Sequence, residues 1–236
     1  MTPPAGCVAR GPPWYRPAFG AAFEQLYATN QRFGRAYRDG KSAHKEVMEA
    51  AANGEMTMAN GGAPLPNGFP AAAARLGTLM RNDPNIQLAF FALGGWDTHA
   101  NQGAGSGQLA NRLAPLALGL STLAQRLGTL FDDTTVIVMS EFGRTARENG
   151  NGGTDHGHGN VMWVMGGAVA GGKVYGDWQG IGDGALNEGR DLPVTTDFRW
   201  VLAHVAERHL RLGDHQLAQI FPAMPERGLG FQLIRG

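Results

Sequence analysis

Two short stretches of this chain concentrate the residue types that do chemistry. The first is Asp97-Thr98-His99, inside Gly94-Gly95-Trp96-Asp97-Thr98-His99-Ala100-Asn101. The second runs from Ser140 to Asn160 and carries Glu141, Arg144, Asp155, His156 and His158 among glycines. Three of the seven histidines fall in these two stretches. A zinc-like dication takes three or four nitrogen and oxygen ligands, and Asp97, His99, Glu141, Asp155, His156 and His158 offer that set. Each piece has a plainer reading: Asp97-Thr98-His99 also suits a turn whose Asp accepts backbone N–H groups. Asp155-His156-Gly157-His158 is the sharper signal, because alternate residues of an extended segment point the same way and both rings can then face one ion.

With a cation in place, two kinds of chemistry open: Lewis-acid polarisation of a phosphoryl or sulfuryl oxygen, and generation of hydroxide from bound water. Arg144 would be the planar donor that grips the anionic group, though a surface ion pair with Glu141 is the commoner fate of two such charges. Ser140 is a candidate nucleophile, but its place beside Glu141 at a strand end equally suits burial. The chain has no Gly-x-Ser-x-Gly elbow, which argues against a serine triad.

The elements that must position these loops are apolar runs. Thr134–Met139 and Val161–Met165 read as buried strands on either side of the second stretch, and Ile86–Leu93 reads as a strand leading into the first. Leucines 109, 113, 116, 120, 123, 127 and 130 lay one seam along a helix, with Pro115 predicting a kink or a late start. A strand, a crossover helix and a second strand make a parallel unit, which would bring both polar loops to one sheet edge. Pro70–Met80 reads as a helix closed by Asn82-Asp83-Pro84. A short strand is expected over 173–175, a loop over 176–191, and a last helix over 197–210 capped by Thr196 with Phe198, Val201, Leu202 and Val205 buried. His204, His209 and His215 read as surface or cap residues. Upstream, 19–40 and 45–52 read as a helical hairpin, and 1–17 as a disordered, Pro- and Gly-rich start.

The expected fold is therefore α/β: a partial doubly wound, mainly parallel sheet with an N-terminal helical hairpin, in a single domain over 18–236. Composition bounds the partners. Twenty basic and twenty acidic residues cancel, so no electrostatic footprint favours nucleic acid or an anionic membrane surface. Cys7 is the single cysteine, so a thiolate zinc site and an intrachain disulfide are both excluded. The start has no apolar h-region, and no stretch reaches transmembrane length. A small anionic ester is the expected partner, with self-association through an uncovered sheet edge.

The segments GGWDTHANQ, VIVMSEFGRTARENGNGGTDHGHGNVMWVMGG, GGKVYGDW and PVTTDFRWVLAHV resemble the bacterial domain-of-unknown-function 1501 family, which is similar to the alkaline phosphatase and sulfatase superfamily. That resemblance implies an alkaline-phosphatase-like fold and a metal-dependent hydrolase of phosphate or sulfate esters. The alternative is a non-catalytic module that binds a metal or an anion. It implies a divalent ion, zinc first, with calcium, magnesium or manganese as alternatives. Asp97 and His99 match the superfamily's first ligand element, Glu141 its acidic ligand, and His156 or His158 its last. Phe142 stands where the superfamily often has a histidine, which puts a second metal in doubt. The family resembles longer, exported proteins, so a periplasmic or exported setting and a carboxyl-terminal portion of such a protein, lacking the nucleophile-bearing half, are the further expectations, with a cytoplasmic setting expected if the chain is expressed as given.

Overall fold

A computed structural model describes residues 63–224 and 232–235. The expected disordered start and helical hairpin lie outside the described residues. What is described is mixed α/β, and it divides into two compact units.

The first unit holds residues 63–96 and 111–126 among those described. Its first helix, α1 (Phe69–Asn82), begins with a proline in its first turn and an alanine run that costs little side-chain entropy. Asp83 closes it in extended conformation, as a residue before proline must, and its Oδ1 accepts from the Asn85 N–H at 2.9 Å. Phe69, Ala73, Leu76 and Gly77 form its buried stripe. The ring of Phe69 lies directly over Gly119, where any side chain would collide with it, and meets Phe91 edge-on at 5.3 Å. Helix α2 (Gln108–Leu127) supplies Gly119, and its residues in this unit bury Leu116, Leu120 and Leu123. The leucine seam forms a helix from Leu109 to Leu127, with Leu113 exposed and Leu130 in the 3-10 turn beyond it, and the helix runs through Pro115 from Gln108 rather than starting late.

Residues 86–93 differ from expectation. They form no strand, and Leu88 and Phe90 are 73% and 83% exposed. An apolar run becomes a strand only as one half of a hydrogen-bonded ladder, and no described segment pairs with it.

The second unit holds 97–110 and the described residues from Leu127 onward. Strand β1 (Thr135–Val138) follows a 3-10 turn at Gly128–Asp133 and pairs with β4 (Trp163–Gly166), with Ile137 opposite Val164. Strand β2 (Gly143–Arg144) pairs with β3 (His156–Gly157), placing Arg144 opposite His156. Both pairs are antiparallel, whereas the sequence reading expects a mainly parallel sheet and only a loop where β2 and β3 lie; β-branched runs report that a strand forms, not which way its neighbour points.

Helix α3 (Phe198–Arg208) is capped by Asp197 rather than Thr196: the Asp197 carboxylate accepts from Arg199 N at 2.9 Å. Val205 joins Val169, Leu233 and Ile234 in a core that also takes in Val201, Ile137 and Val164. Ala203 and Ala206, on another face, pack with Leu217 of α4 (Asp214–Ile220). Phe198, expected inside, is 51% exposed. His204 Nε2 accepts from Leu233 N at 3.3 Å, so this histidine ties the last described residues to α3 instead of facing solvent alone. His209 caps α3 and its Nδ1 lies 3.3 Å from Thr135 Oγ1. The expected strand at 173–175 is absent, with Val174 almost fully exposed. Residues 176–191 are loop with one 3-10 turn at Asp183–Ala185, held by bridges from Asp191 to Thr145 and Asn187. Among the described residues no helix is long and apolar enough to cross a membrane.

Candidate metal centre

The second unit contains both polar stretches, and a set of backbone and side-chain bonds stitches them together. Asn101 N and Gln102 N donate to the carbonyls of Asn151 and Gly152, and Thr154 N donates to Thr98 O. Thr98, almost wholly buried, and Thr154 both donate their hydroxyls to Gln102 Oε1 at 2.7 Å. Asn149 organises the turn before β3: its Oδ1 accepts from Asn151 N and Gly153 N, and its Nδ2 donates to His99 O and to Asp155 Oδ1. Gly153 lies so close to the His99 carbonyl that a Cβ there would overlap it. Asparagine, glycine and threonine recur here because each satisfies backbone groups locally at little steric cost.

This frame brings three ligand atoms to one point. Asp97 Oδ1 lies 2.7 Å from His156 Nε2 and 3.0 Å from His99 Nε2, and the two imidazole nitrogens are 3.1 Å apart. Among the described residues, Asp97, His99 and His156 are the one group of three or more ligand-type side chains gathered this closely. Tetrahedral ligands about 2.0–2.1 Å from a zinc ion stand roughly 3.3 Å from each other, so a slight opening of this triangle accommodates the ion. The side chains are about half exposed, at 49% for Asp97, 45% for His99 and 51% for His156. A solvent molecule or a ligand can therefore reach the three side chains.

The His99 ring is also held from behind. His99 Nδ1 is 3.1 Å from Asp155 Oδ1, and a carboxylate only accepts, so Nδ1 carries the hydrogen. Nε2 of the same ring faces the Asp97 oxygen at 3.0 Å and the His156 nitrogen at 3.1 Å. A carboxylate on the outer nitrogen of a ligating histidine is the usual way such a ring is oriented.

Arg144 braces Asp97. Its Nη1 donates to Asp97 Oδ1 at 2.6 Å, its Nε donates to Thr154 Oγ1 at 3.0 Å, and its Nη2 donates to Thr154 O. Partial burial pushes the Asp97 carboxyl up, but hydrogen bonds from His156 and Arg144 and the nearby His99 together hold it below its ordinary value. Asp155 is held down chiefly by the Asn149 amide and then by His99. Both carboxylates are thus ionised at neutral pH, as a cation site requires. The Phe142 ring packs on His156 with centroids 4.3 Å apart, giving the site one apolar wall.

Of the residues singled out from the sequence, Asp97, His99 and His156 converge. Asp155 sits behind His99, bonded to its Nδ1. Glu141 lies outside the group, exposed, with its Oε2 3.4 Å from the hydroxyl of its neighbour Ser140. His158 turns to another partner: its Nδ1 lies 2.8 Å from Asp191 Oδ2, and the same oxygen accepts the His158 N–H at 2.6 Å. Asp191 is fully buried, with its other oxygen 3.4 Å from Arg190 Nε. The His158 N–H first, then its ring, hold the Asp191 carboxyl below its ordinary value against the cost of burial. Asp191 was not legible beforehand, nor were Asn149, Gln102 and Thr154, because each acts through a partner distant along the chain. Only the carboxylate in the polar run Gly189-Arg190-Asp191, ahead of Leu192-Pro193, could have drawn notice.

A family model described as "Protein of unknown function (DUF1501)" matches residues 21–221. Comparison with curated proteins and with solved structures returns no match. The match takes in the triad, both stitched loops and the helices that follow, and the chain belongs to the DUF1501 family.

Proposed function

We propose that this chain is a metal-dependent hydrolase of phosphate or sulfate esters, with Asp97, His99 and His156 as its metal ligands. The observation that carries the reading is the triangle of ligand atoms, its one carboxylate oxygen and two imidazole nitrogens all within 3.1 Å of each other. The donor set suits zinc first and manganese next; a calcium site would be built from oxygens alone. A bound ion would supply Lewis-acid polarisation of the ester's anionic oxygen and acidify a water molecule.

The chain's own residues would do the rest. Asp155 keeps the His99 ring oriented and its Nδ1 protonated, so that Nε2 is always the ligand atom. Arg144 holds Asp97 ionised and adds positive charge beside the position an anionic ester would take. Glu141 serves best as a rim carboxylate, able to accept a proton from a solvent molecule. We further infer that the family sits with the alkaline phosphatase and sulfatase superfamily, with its mainly parallel sheet, and that its members work in the periplasm.

The second reading is a module that binds a metal or an anion without turnover. It is favoured by Ser140, whose hydroxyl is directed to Glu141 and to the Phe142 carbonyl. Zinc loading followed by assay of aryl phosphates and aryl sulfates separates the two. A hydrolase turns over one ester class and loses rate when Asp97, His99 or His156 is replaced. A binding module shows the same loss of zinc affinity but no turnover at any stage.

A further inference from the structure

The three side chains of the triad have unlike surroundings. Arg144 stands against Asp97, and Asp155 with Asn149 stands behind His99, so polar groups close those two sides. His156 is backed by a hydrocarbon ring instead. Phe142 lies on it with centroids 4.3 Å apart and planes inclined by 33°, while Nε2 of that same imidazole is 2.7 Å from Asp97 Oδ1. Among the described residues no other phenyl, phenol or indole ring stacks on a triad side chain. Phe142 is nevertheless 40% exposed, so packing on His156 occupies only part of its surface. Burial ordinarily holds a phenyl ring in place, and here the backbone does so. The Phe142 carbonyl accepts from the Asn160 amide at 2.9 Å and from the Ser140 hydroxyl at 3.2 Å, and the next N–H, of Gly143, donates to His158 O at 3.2 Å. A Cβ at Gly143 would overlap the Gly159 carbonyl, so only glycine lets β2 and the segment after β3 approach this closely. The ring is thus set beside the triad in advance, and a ligand that stacks on it need not first order it.

We propose that Phe142 is a specificity-determining residue, the platform on which the ester's leaving group stacks, and that it selects a flat aromatic leaving group over an aliphatic one. This rests on the ester-hydrolase reading above and names the half of the substrate that reading leaves open. The anionic head is drawn to the Arg144 side, where the positive charge lies, and the other half of the ester extends along the apolar side, over His156 and Phe142. An offset or edge-on pair of aromatic rings contributes beyond the area it buries, and an alkyl chain cannot reproduce it. The platform touches neither the bond that breaks nor a proton in transit. Its removal therefore raises KM for aromatic esters more than it lowers kcat.

Head-group analogues that do not react separate recognition from turnover. The zinc-loaded full chain is titrated calorimetrically with phenylphosphonate against methylphosphonate, and with benzenesulfonate against methanesulfonate, so that each pair shares one head and differs only in ring or methyl. In the wild-type chain the aromatic member should bind on the order of three- to tenfold more tightly than its methyl counterpart. Phe142→Ala should cost the aromatic member more than the methyl member and so remove that preference, and Phe142→Tyr should retain it. Phe142→Leu keeps an apolar body against His156 and decides the matter if the alanine variant fails to load zinc; it too should lose most of the preference. With phenyl phosphate and ethyl phosphate as substrates, the ratio of their kcat/KM values should fall by the same factor in Phe142→Ala, chiefly through KM, because the intrinsic difference between the leaving groups cancels between wild type and variant. Equal affinity for ring and methyl in the wild-type chain, or a preference that survives intact in the alanine or leucine variant, overturns the proposal and leaves the hydrolase reading standing. A wild-type chain that binds neither zinc nor any of the four analogues overturns both.

Discussion

Asp155 Oδ1 lies 3.1 Å from Nδ1 of His99, while Nε2 of the same ring lies 3.0 Å from Asp97 Oδ1, so one imidazole is gripped between two carboxylates. Asn149 Nδ2 in turn donates to Asp155 at 2.9 Å and to the His99 carbonyl at 3.0 Å. The orientation of His99 is thus built outward through two further residues, Asp155 and Asn149.

It follows that Asp155→Ala should weaken zinc binding without removing a ligand. Loss of the partner on a ligating histidine typically costs about 10- to 100-fold in affinity. Calorimetric titration with zinc should show that drop, with Asn149→Ala giving a smaller one in the same direction. An Asp155→Ala affinity equal to wild type would mean that His99 needs no brace.

The close approach of Gly153 to the His99 carbonyl makes Gly153→Ala informative. The new methyl group must push the Asp97–His99 loop away from the turn, at a cost of about 1–3 kcal/mol if the site behaves like other overpacked positions. Thermal denaturation should register the loss, and zinc affinity should fall with it because His99 moves. Retention of both would show that the two loops separate freely.

Much of this was legible in the residues themselves. Val136-Ile137-Val138 and Trp163-Val164-Met165 announced their strands and the leucine seam its helix, because residue type and spacing are local properties, but the expected burial failed: all of β1 is half-buried and Trp163 is 42% exposed. Pairing direction was not legible, since β-branched side chains favour a ladder of either sense. Ile86–Leu93 shows the same limit, an apolar run whose ladder partner no local pattern supplies. At the site, Asp97, His99 and His156 were legible as ligand types beside glycines. The separate roles of Asp155 and His158 were not, because they depend on Asn149 and Asp191, whose positions are set by turns rather than by spacing.

Acid should destabilise the chain in a defined window. Asp97, Asp155, Asp191 and Asp197 all have carboxyls held below the ordinary value, so each binds its proton more readily in the unfolded chain. Their contribution is fully present above the unfolded-state value, near about 3.9, and is lost as pH falls through the lower folded-state values. Melting temperature should therefore hold level from neutral pH to about 5 and fall steeply below about 4. Asp191→Asn should flatten that fall. A melting temperature that rises on acidification would reverse the sign and refute the assignment.

Asp197→Ala provides a control remote from the triad. Removing the cap of α3 should cost about 1 kcal/mol, visible as a lower melting temperature. Zinc affinity should stay at the wild-type value, because the cap contributes nothing to the ligand atoms. A matching loss of zinc affinity would show that the variants above report general unfolding.

Zinc titration of the wild-type chain beside Asp97→Ala, His99→Ala and His156→Ala addresses the central claim most directly. One equivalent of zinc should bind wild type, and each replacement should abolish or severely weaken that binding while far-ultraviolet circular dichroism stays unchanged. Wild-type affinity in all three variants, or no binding by the wild-type chain, would contradict a metal centre at this position.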